Sequence, residues 1–251
     1  MLQVKAEGPV LRMTLNRPEV RNAFNDVLIA ELTRAFAQLG SDVRAVVLAG
    51  EGTAFCAGGD LEWMRKAAAY SEEENYEDAR NLARLFRAIV DCPAVVISRV
   101  HGAAFGGGCG LVAASDVAVA STGALFAFSE VRLGLIPGTI SPFVIPKIGP
   151  GHARALFATG EAFSPEKALR IGLVHEVGEP AELDKLVEAK LKSVLSAGPT
   201  AIAGAKRLVL DGHLTDDECA RRLAHARAGD EAREGVAAFL DRRRASFVTE
   251  P

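Results

Sequence analysis

Hydrophobic and polar residues change rhythm repeatedly along this chain of 251 residues. Residues 2 to 15 alternate in twos around Glu7-Gly8-Pro9, which predicts a β-hairpin. A helix is expected from about Asp26 to Leu39, and the apolar run "VRAVVLAG" after it reads as a buried strand. From Ser71 to Cys92 the apolar residues Leu82, Leu85, Phe86 and Ile89 share one helical face, and Ser71 with Glu74 has capping-box spacing, so a long amphipathic helix is predicted. "PAVVISRV" then reads as a strand, "HGAAFGGGCG" as a glycine turn, "CGLVAAS" as a helix, "DVAVAS" as a strand and "ALFAFSEVRLG" as a strand and turn. Strand alternating with helix implies an α/β fold with crossover connections. From about Pro150 the strand pattern ceases, and helices are expected through "GHARALFATG", "SPEKALRIGLV" and "PAELDKLVEAKLKSVLSAG". Residues 215 to 248 form a charged amphipathic tail suited to closing over its own domain or packing on a neighbouring subunit.

A hydrophobic content of 49% is ample for one large core with an appendage. The net charge of -3, from 29 basic and 32 acidic residues spread along the chain, argues against nucleic acid or an anionic membrane as partner. The N-terminal stretch lacks the pattern of a secretory signal, and no apolar run approaches the roughly 18 residues of a membrane span, so a cytoplasmic protein is expected. Cys56, Cys92, Cys109 and Cys219 form no CxxC pair and the histidines no HxxxH or HExxH, so reduced thiols and no metal are expected.

Two glycine loops follow apolar strands: "AFCAGGDL" after "AVVLAG", and "AFGGGCG" after "AVVISRV". A strand that ends in such a turn and opens a helix presents free backbone N–H groups to an anion or to developing negative charge. Neither loop carries the GK[ST] of a P-loop or the GxGxxG of a dinucleotide site. An oxyanion hole with one donor from each loop is one reading; tight packing of helix on sheet is the other, and spacing alone leaves both open. There is no GxSxG nucleophile elbow, and Ser129 has no recognisable histidine partner, which argues against a serine hydrolase.

These two loops, with "NRPEVRNAFN" upstream and "SEVRLGLIPG" downstream, occur in the order found in the crotonase, or enoyl-CoA hydratase/isomerase, superfamily, which the chain resembles over nearly its whole length. The resemblance implies a spiral of repeated ββα units with a C-terminal helical trimerisation region: a crotonase core over 1–195, and helices over 196–251 packing on the core or a neighbouring subunit. It implies an acyl-CoA thioester as substrate, no separate cofactor because coenzyme A is part of that substrate, and a homotrimer or hexamer. By motif, the oxyanion donors are the N–H groups of Gly59 and Gly107. Arg21 and Ala23 on the first loop and Ala57, Asp60 and Leu61 on the second stand at positions that approach CoA, and Arg242 in the C-terminal helix resembles a position that approaches it from a neighbouring subunit. Arg21 is equally readable as a solvated surface arginine.

Family hydratases commonly use two glutamates to add water at C3 and a proton at C2. Glu130 occupies the second position, and Gly138 matches a glycine whose backbone helps hold the water. Gly110 stands where the first glutamate is expected. One carboxylate suffices for a hydratase in which Glu130 handles both water and proton, for a double-bond isomerase, or for a decarboxylase or C–C lyase; a non-catalytic scaffold ranks last because Glu130 and the glycine donors are retained. Cys109 reads as packing, since nothing supplies a base to activate it. "AAFGGGCGLVAASD" joined to "FSEVRLGLIPGTISPFVIPKIG" is similar to bacterial methylglutaconyl-CoA and isohexenylglutaconyl-CoA hydratases, which also carry Gly at the first position. Ile140, Ser141 and Pro142 are expected to reshape the acyl pocket for a branched or carboxylated enoyl group. Trp63, Met64, Tyr70 and Tyr76 read first as helix packing and second as acyl-pocket lining, and His101 as structural.

Overall fold

The computed structural model describes residues 1–250. The chain opens with the antiparallel hairpin β1 (Leu2–Glu7) and β2 (Val10–Leu15), turned at Gly8 where φ is +54°. Helix α1 (Asp26–Ala37) follows, with Asn25 as N-cap accepting the Leu28 N–H at 2.9 Å, and leads to β3 (Ala45–Gly50). Helix α2 (Leu61–Ala67) contains Trp63 and Met64, which read as helix packing in sequence, although its seven residues are too few for a helical period to give its bounds. Helix α3 (Glu72–Asp91) starts at the reciprocal Ser71–Glu74 capping box. Next come β4 (Val95–Val100), β5 (Ala103–Phe105), α4 (Gly107–Ala114), β6 (Val117–Ser121) and β7 (Leu125–Ala127).

Two expectations for the second half need correction. The strands do not end near Pro150: β8 (Ala162–Phe163) and β9 (Glu176–Gly178) lie beyond it, each too short to show a period of two. Helix α5 (Ser141–Thr159) begins ten residues before the expected helix at Gly151, in "SPFVIPKIG", whose prolines argue against helix in sequence. Pro142 occupies the first turn, where its missing N–H costs nothing, and the chain breaks at Gly149 with φ +75° before Pro150 restarts it. Helices α6 (Pro165–Arg170), α7 (Leu183–Leu195), α8 (Pro199–Leu210), α9 (Asp216–Ala228) and α10 (Asp230–Leu240) complete the fold.

The main sheet runs β1-β2-β3-β4-β6-β9 and is parallel from β2 onward; β5-β7-β8 form a second, smaller sheet. Parallel strands are covered on both faces, which is why β3 and β4 read as continuous apolar runs rather than alternating ones. Leu48 and Val96 face α1, α3 and α4 in the larger core, whereas Val47 and Ile97 face Leu183, Val187, Leu191 and Leu195 of α7. Helix α4 is buried along nearly its whole length and packs against α3 and α5. The C-terminal helices touch the body through cations: Lys206 donates to the Cys92 and Ala94 carbonyls and pairs with Asp116 at 2.7 Å, and Arg44 donates to the carbonyls of Phe247 and Ala197. Val209, Val236, Phe239 and Leu240 of these helices stay exposed. Among the described residues, no helix is long and apolar enough to cross a membrane.

Candidate active site

The site begins with two loops tied edge to edge. Arg21 and Asn22 both adopt left-handed backbone conformations, at φ +53° and +56°. Asn22 is fully buried: its carbonyl oxygen accepts the Arg17 N–H at 2.8 Å, and its amide donates to the Glu51 and Ala54 carbonyls at 2.8 Å each. Asparagine tolerates this conformation better than most residues. From there Ala57 N–H donates to Arg21 O at 3.0 Å, Phe24 N–H to Gly58 O at 2.7 Å and Asp60 N–H to Phe24 O at 2.8 Å. The backbone on either side of Gly59 is therefore fixed, while the Gly59 N–H has no acceptor among the described residues.

The second loop is clamped to the first by Cys56 N–H to Ala103 O and Phe105 N–H to Cys56 O, both 3.0 Å. Gly106 turns the chain at φ +50° into α4, and Gly107, first residue of the helix, has an N–H with no acceptor, intrahelical or other, among the described residues. A Cβ on Gly107 would lie 2.8 Å from the Phe24 ring, while the Phe24 backbone is bridged to Gly59. One residue thus sets both free donors, and the α4 dipole favours negative charge at the Gly107 end.

Glu130 opens the 3-10 turn after β7, and its Oε1 lies 3.3 Å from where a Cβ on Gly106 would be. Its Oε2 is buried without a hydrogen-bond partner among the described residues. Burial pushes this carboxyl above the usual carboxylate range, a backbone hydrogen bond offsetting only part of the effect. Cys109 donates its thiol to Ala104 O at 2.9 Å, and burial pushes its pKa up, so it is an inert core thiol.

Gly110 is not an empty position. A Cβ there would lie 2.6 Å from Ile140 Cγ2 and 2.6 Å from Phe86 Cζ. Phe86 itself sits between Phe24, edge-on at 6.5 Å, and Phe143 at 5.7 Å. The place of the first family glutamate is filled by an apolar cluster. Of the three pocket residues expected from sequence, only Ile140 reaches this cluster; Ser141 Oγ bonds Gly138 O at 3.0 Å and Pro142 is exposed.

The other candidates divide clearly. Arg21 and Arg242 are exposed, and neither side chain has a partner among the described residues; Leu61 is 76% exposed on the first turn of α2. Ala23 is buried with its carbonyl taken by Arg17 at 2.6 Å, and the Ala57 N–H is spent on Arg21. The Gly138 N–H donates to Ile136 O at 2.8 Å, so the donor that the resemblance assigns to holding the water is spent within the turn. Trp63 and Met64 flank Gly59, a Cβ on which would lie 3.3 Å from Met64 Cγ, whereas Tyr70 and Tyr76 are exposed rather than packed. His101 Nε2 pairs with Gly52 O at 2.9 Å, a structural contact.

Asp60 is occupied by the fold. It accepts Arg17 Nη2 at 2.8 Å and caps α2 through the Glu62 and Trp63 N–H groups. Burial alone would raise its pKa, but these bonds outweigh it and hold the carboxyl low. The Arg17 and Asp60 side chains are only 11% and 9% exposed, so Arg17→Met strands a buried carboxylate and is expected to lower the unfolding free energy by about 3 kcal/mol. Because the Asp60 pKa is depressed, that loss should be full above about pH 4 and shrink as pH falls through the folded-state value. Urea titrations at pH 7 and pH 3 read both; equal losses at the two pH values would contradict the assignment.

Residues 5–250 match the enoyl-CoA hydratase/isomerase family. The chain is 32% identical over 255 residues to the crotonyl-CoA hydratase of Syntrophomonas wolfei, covering 98% of this chain and 97% of that one. It is 35% identical over 249 residues to the enoyl-CoA hydratase AKT6-1 of Alternaria alternata, covering 94% of this chain and 80% of that one. Among solved structures, Pseudomonas aeruginosa AtuE superposes with a TM-score of 0.95 at 36% identity over 99% of each chain.

Proposed function

Since this chain belongs to the enoyl-CoA hydratase/isomerase family and is a hydratase-type lyase, we propose that it hydrates a branched or carboxylated enoyl-CoA of the methylglutaconyl type with Glu130 as its one carboxylate. The observation that carries the single-carboxylate reading is the asymmetry around α4: an unpartnered carboxylate oxygen beside Gly106, and Phe86 with Ile140 closed over Gly110. The acyl class is supported by the likeness of "GTISPFV" to methylglutaconyl-type hydratases and by the contact that Ile140 of that segment makes.

In this reaction the thioester oxygen is held by the Gly59 and Gly107 N–H groups. Glu130 takes a proton from water as the water oxygen bonds to C3; the C2–C3 π electrons move toward the carbonyl, whose growing charge the two donors stabilise. The proton on Glu130 then passes to C2, the carbonyl re-forms, and one water has been added with the carboxylate regenerated. One carboxylate serving both transfers requires addition to a single face of the double bond. Gly138 shapes the turn beside the water. Arg21, Ala57 and Leu61 lie along the CoA path, Arg242 approaches it from a neighbouring subunit, and Ala23 and Asp60 support the loop from behind.

The same reading covers assembly. Residues 1–195 form the catalytic core and 196–251 the helical region, whose exposed Val209, Val236, Phe239 and Leu240 suit burial between copies in a trimer or a pair of trimers.

A panel of crotonyl-CoA, 3-methylglutaconyl-CoA and a 3-enoyl-CoA, with products identified by mass, tests the activity. Gain of one water by 3-methylglutaconyl-CoA, with kcat/KM at least about tenfold above crotonyl-CoA, is expected. The closed Gly110 position also favours one alternative, double-bond isomerisation, which needs a single base. Migration of the double bond without change of mass would replace hydration by that reading.

A further inference from the structure

The helix that carries the Gly107 donor has a second end, and a lysine outside the reaction holds it. Helix α4 is only eight residues long, about 12 Å from end to end. The partial negative charge at its C-terminus therefore lies near enough to oppose the field its N-terminus offers to an oxyanion. Lys147 of α5 lies against that C-terminus: its ammonium donates to the carbonyl of Ser115, the C-cap, and to Val112 O at 3.4 Å. The neighbouring Leu111 carbonyl accepts the Ser115 hydroxyl at 2.9 Å.

Among the described residues, no carboxylate pairs directly with this ammonium. Asp116, just beyond α4, acts on it through space but is bonded to Lys206 of α8 at 2.7 Å and to the Val96 N–H at 2.8 Å. His175, ahead of β9, accepts the Ala118 N–H at 2.9 Å; burial, Lys147 and Lys190 of α7 hold it below the usual histidine range, so it adds no charge at neutral pH. The positive charge on the end of α4 is thus that of Lys147, with Lys206 answered by Asp116.

We infer that Lys147 is a positioning residue for catalysis: its ammonium neutralises the C-terminal end of α4 and so strengthens the hold of the Gly107 N–H on the thioester oxygen. The inference rests on Gly107 being an oxyanion donor. Burial pushes the Lys147 ammonium down to about 8, so its charge is present at neutral pH and lost in mild alkali. A unit charge about 15 Å from the oxyanion, at an effective dielectric near 20, corresponds to roughly threefold to tenfold in rate.

The test is the pH profile of kcat together with the absorption of bound cinnamoyl-CoA, a conjugated thioester that absorbs at longer wavelength when its carbonyl is polarised. Wild type should step down by that factor as pH rises through about 8 and settle on a lower plateau. Lys147→Arg should keep the higher plateau beyond that pH; Lys147→Met should sit on the lower one throughout, with KM nearly unchanged and a smaller absorption shift. If Lys147→Met does not fold, the wild-type and Lys147→Arg profiles still decide, because a step that persists in the arginine variant overturns the inference. A methionine variant with wild-type kcat and wild-type absorption shift also overturns it. No shift on binding to the wild type would remove the oxyanion assignment itself, and the inference with it.

Discussion

Glu130→Gln is expected to lower kcat by on the order of 10²- to 10⁴-fold while the protein folds as well as before, or better. The amide keeps the shape of the carboxylate, so the turn after β7 is undisturbed, but it neither accepts the proton from water nor returns one to C2. The stability side follows from burial. The folded-state pKa of Glu130 lies above its unfolded value, so the group contributes stability below the unfolded value that is lost as pH rises through the folded one. At neutral pH the wild type therefore carries the cost of an ionised, unpartnered oxygen, which the glutamine avoids. Urea titration at pH 7 should give an unfolding free energy equal to or above that of the wild type, and the acid limb of wild-type kcat should lie above the usual carboxylate range. Activity within threefold of wild type in Glu130→Gln would end the assignment of this residue as the proton carrier.

Gly110→Glu is expected to fail as a route to a two-carboxylate enzyme. Its Cβ alone would meet Ile140 and Phe86 at 2.6 Å, and such overpacking typically costs about 1 to 3 kcal/mol. The carboxylate would then enter the apolar cluster of Phe24, Phe86 and Phe143, adding several kcal/mol if it is ionised there without a partner. Low soluble yield, or an unfolding free energy reduced by at least about 3 kcal/mol, is the expected outcome. Gly110→Ala isolates the steric part. Combined with Ile140→Ala it should cost less than the sum of the two single changes, with a coupling of about 1 kcal/mol or more, because each relieves the contact made by the other. Additive losses, or a Gly110→Glu variant as stable as wild type, would mean that this position is open.

These two expectations differ in how much of them was legible beforehand. Glu130 stands out in sequence through the resemblance of "SEVRLGLIPG", downstream of the two glycine loops, to the family's second glutamate motif; taken alone it reads as a carboxylate at a turn start. Gly110 stands out only as an absence, and whether that absence leaves a gap or a filled core depends on Phe86 and Ile140, 24 residues before it and 30 after it. The Arg17–Asp60 pair was hidden for the same reason: the partners are 43 residues apart, and a lone Asp before a helix reads as an N-cap, which it also is. Asn22 carried a weak signal that could have been used, since a non-glycine residue in a Pro-bearing loop that adopts positive φ is often asparagine.

The sequence by itself determined what short-range physics controls. The Ser71–Glu74 capping box, the apolar face of α3 and the continuous apolar runs of β3 and β4 each encode their own local structure. Elements of two or three residues, such as β8 and β9, carry no such period, because pairing with a neighbour rather than local preference makes them strands. Only the tertiary structure decided that Phe24 joins the two donors, that Ile140 and Phe86 close over Gly110, and that Lys147 meets the far end of α4. Those are contacts between segments distant in sequence, chosen by packing a whole core at once, and no local pattern specifies them.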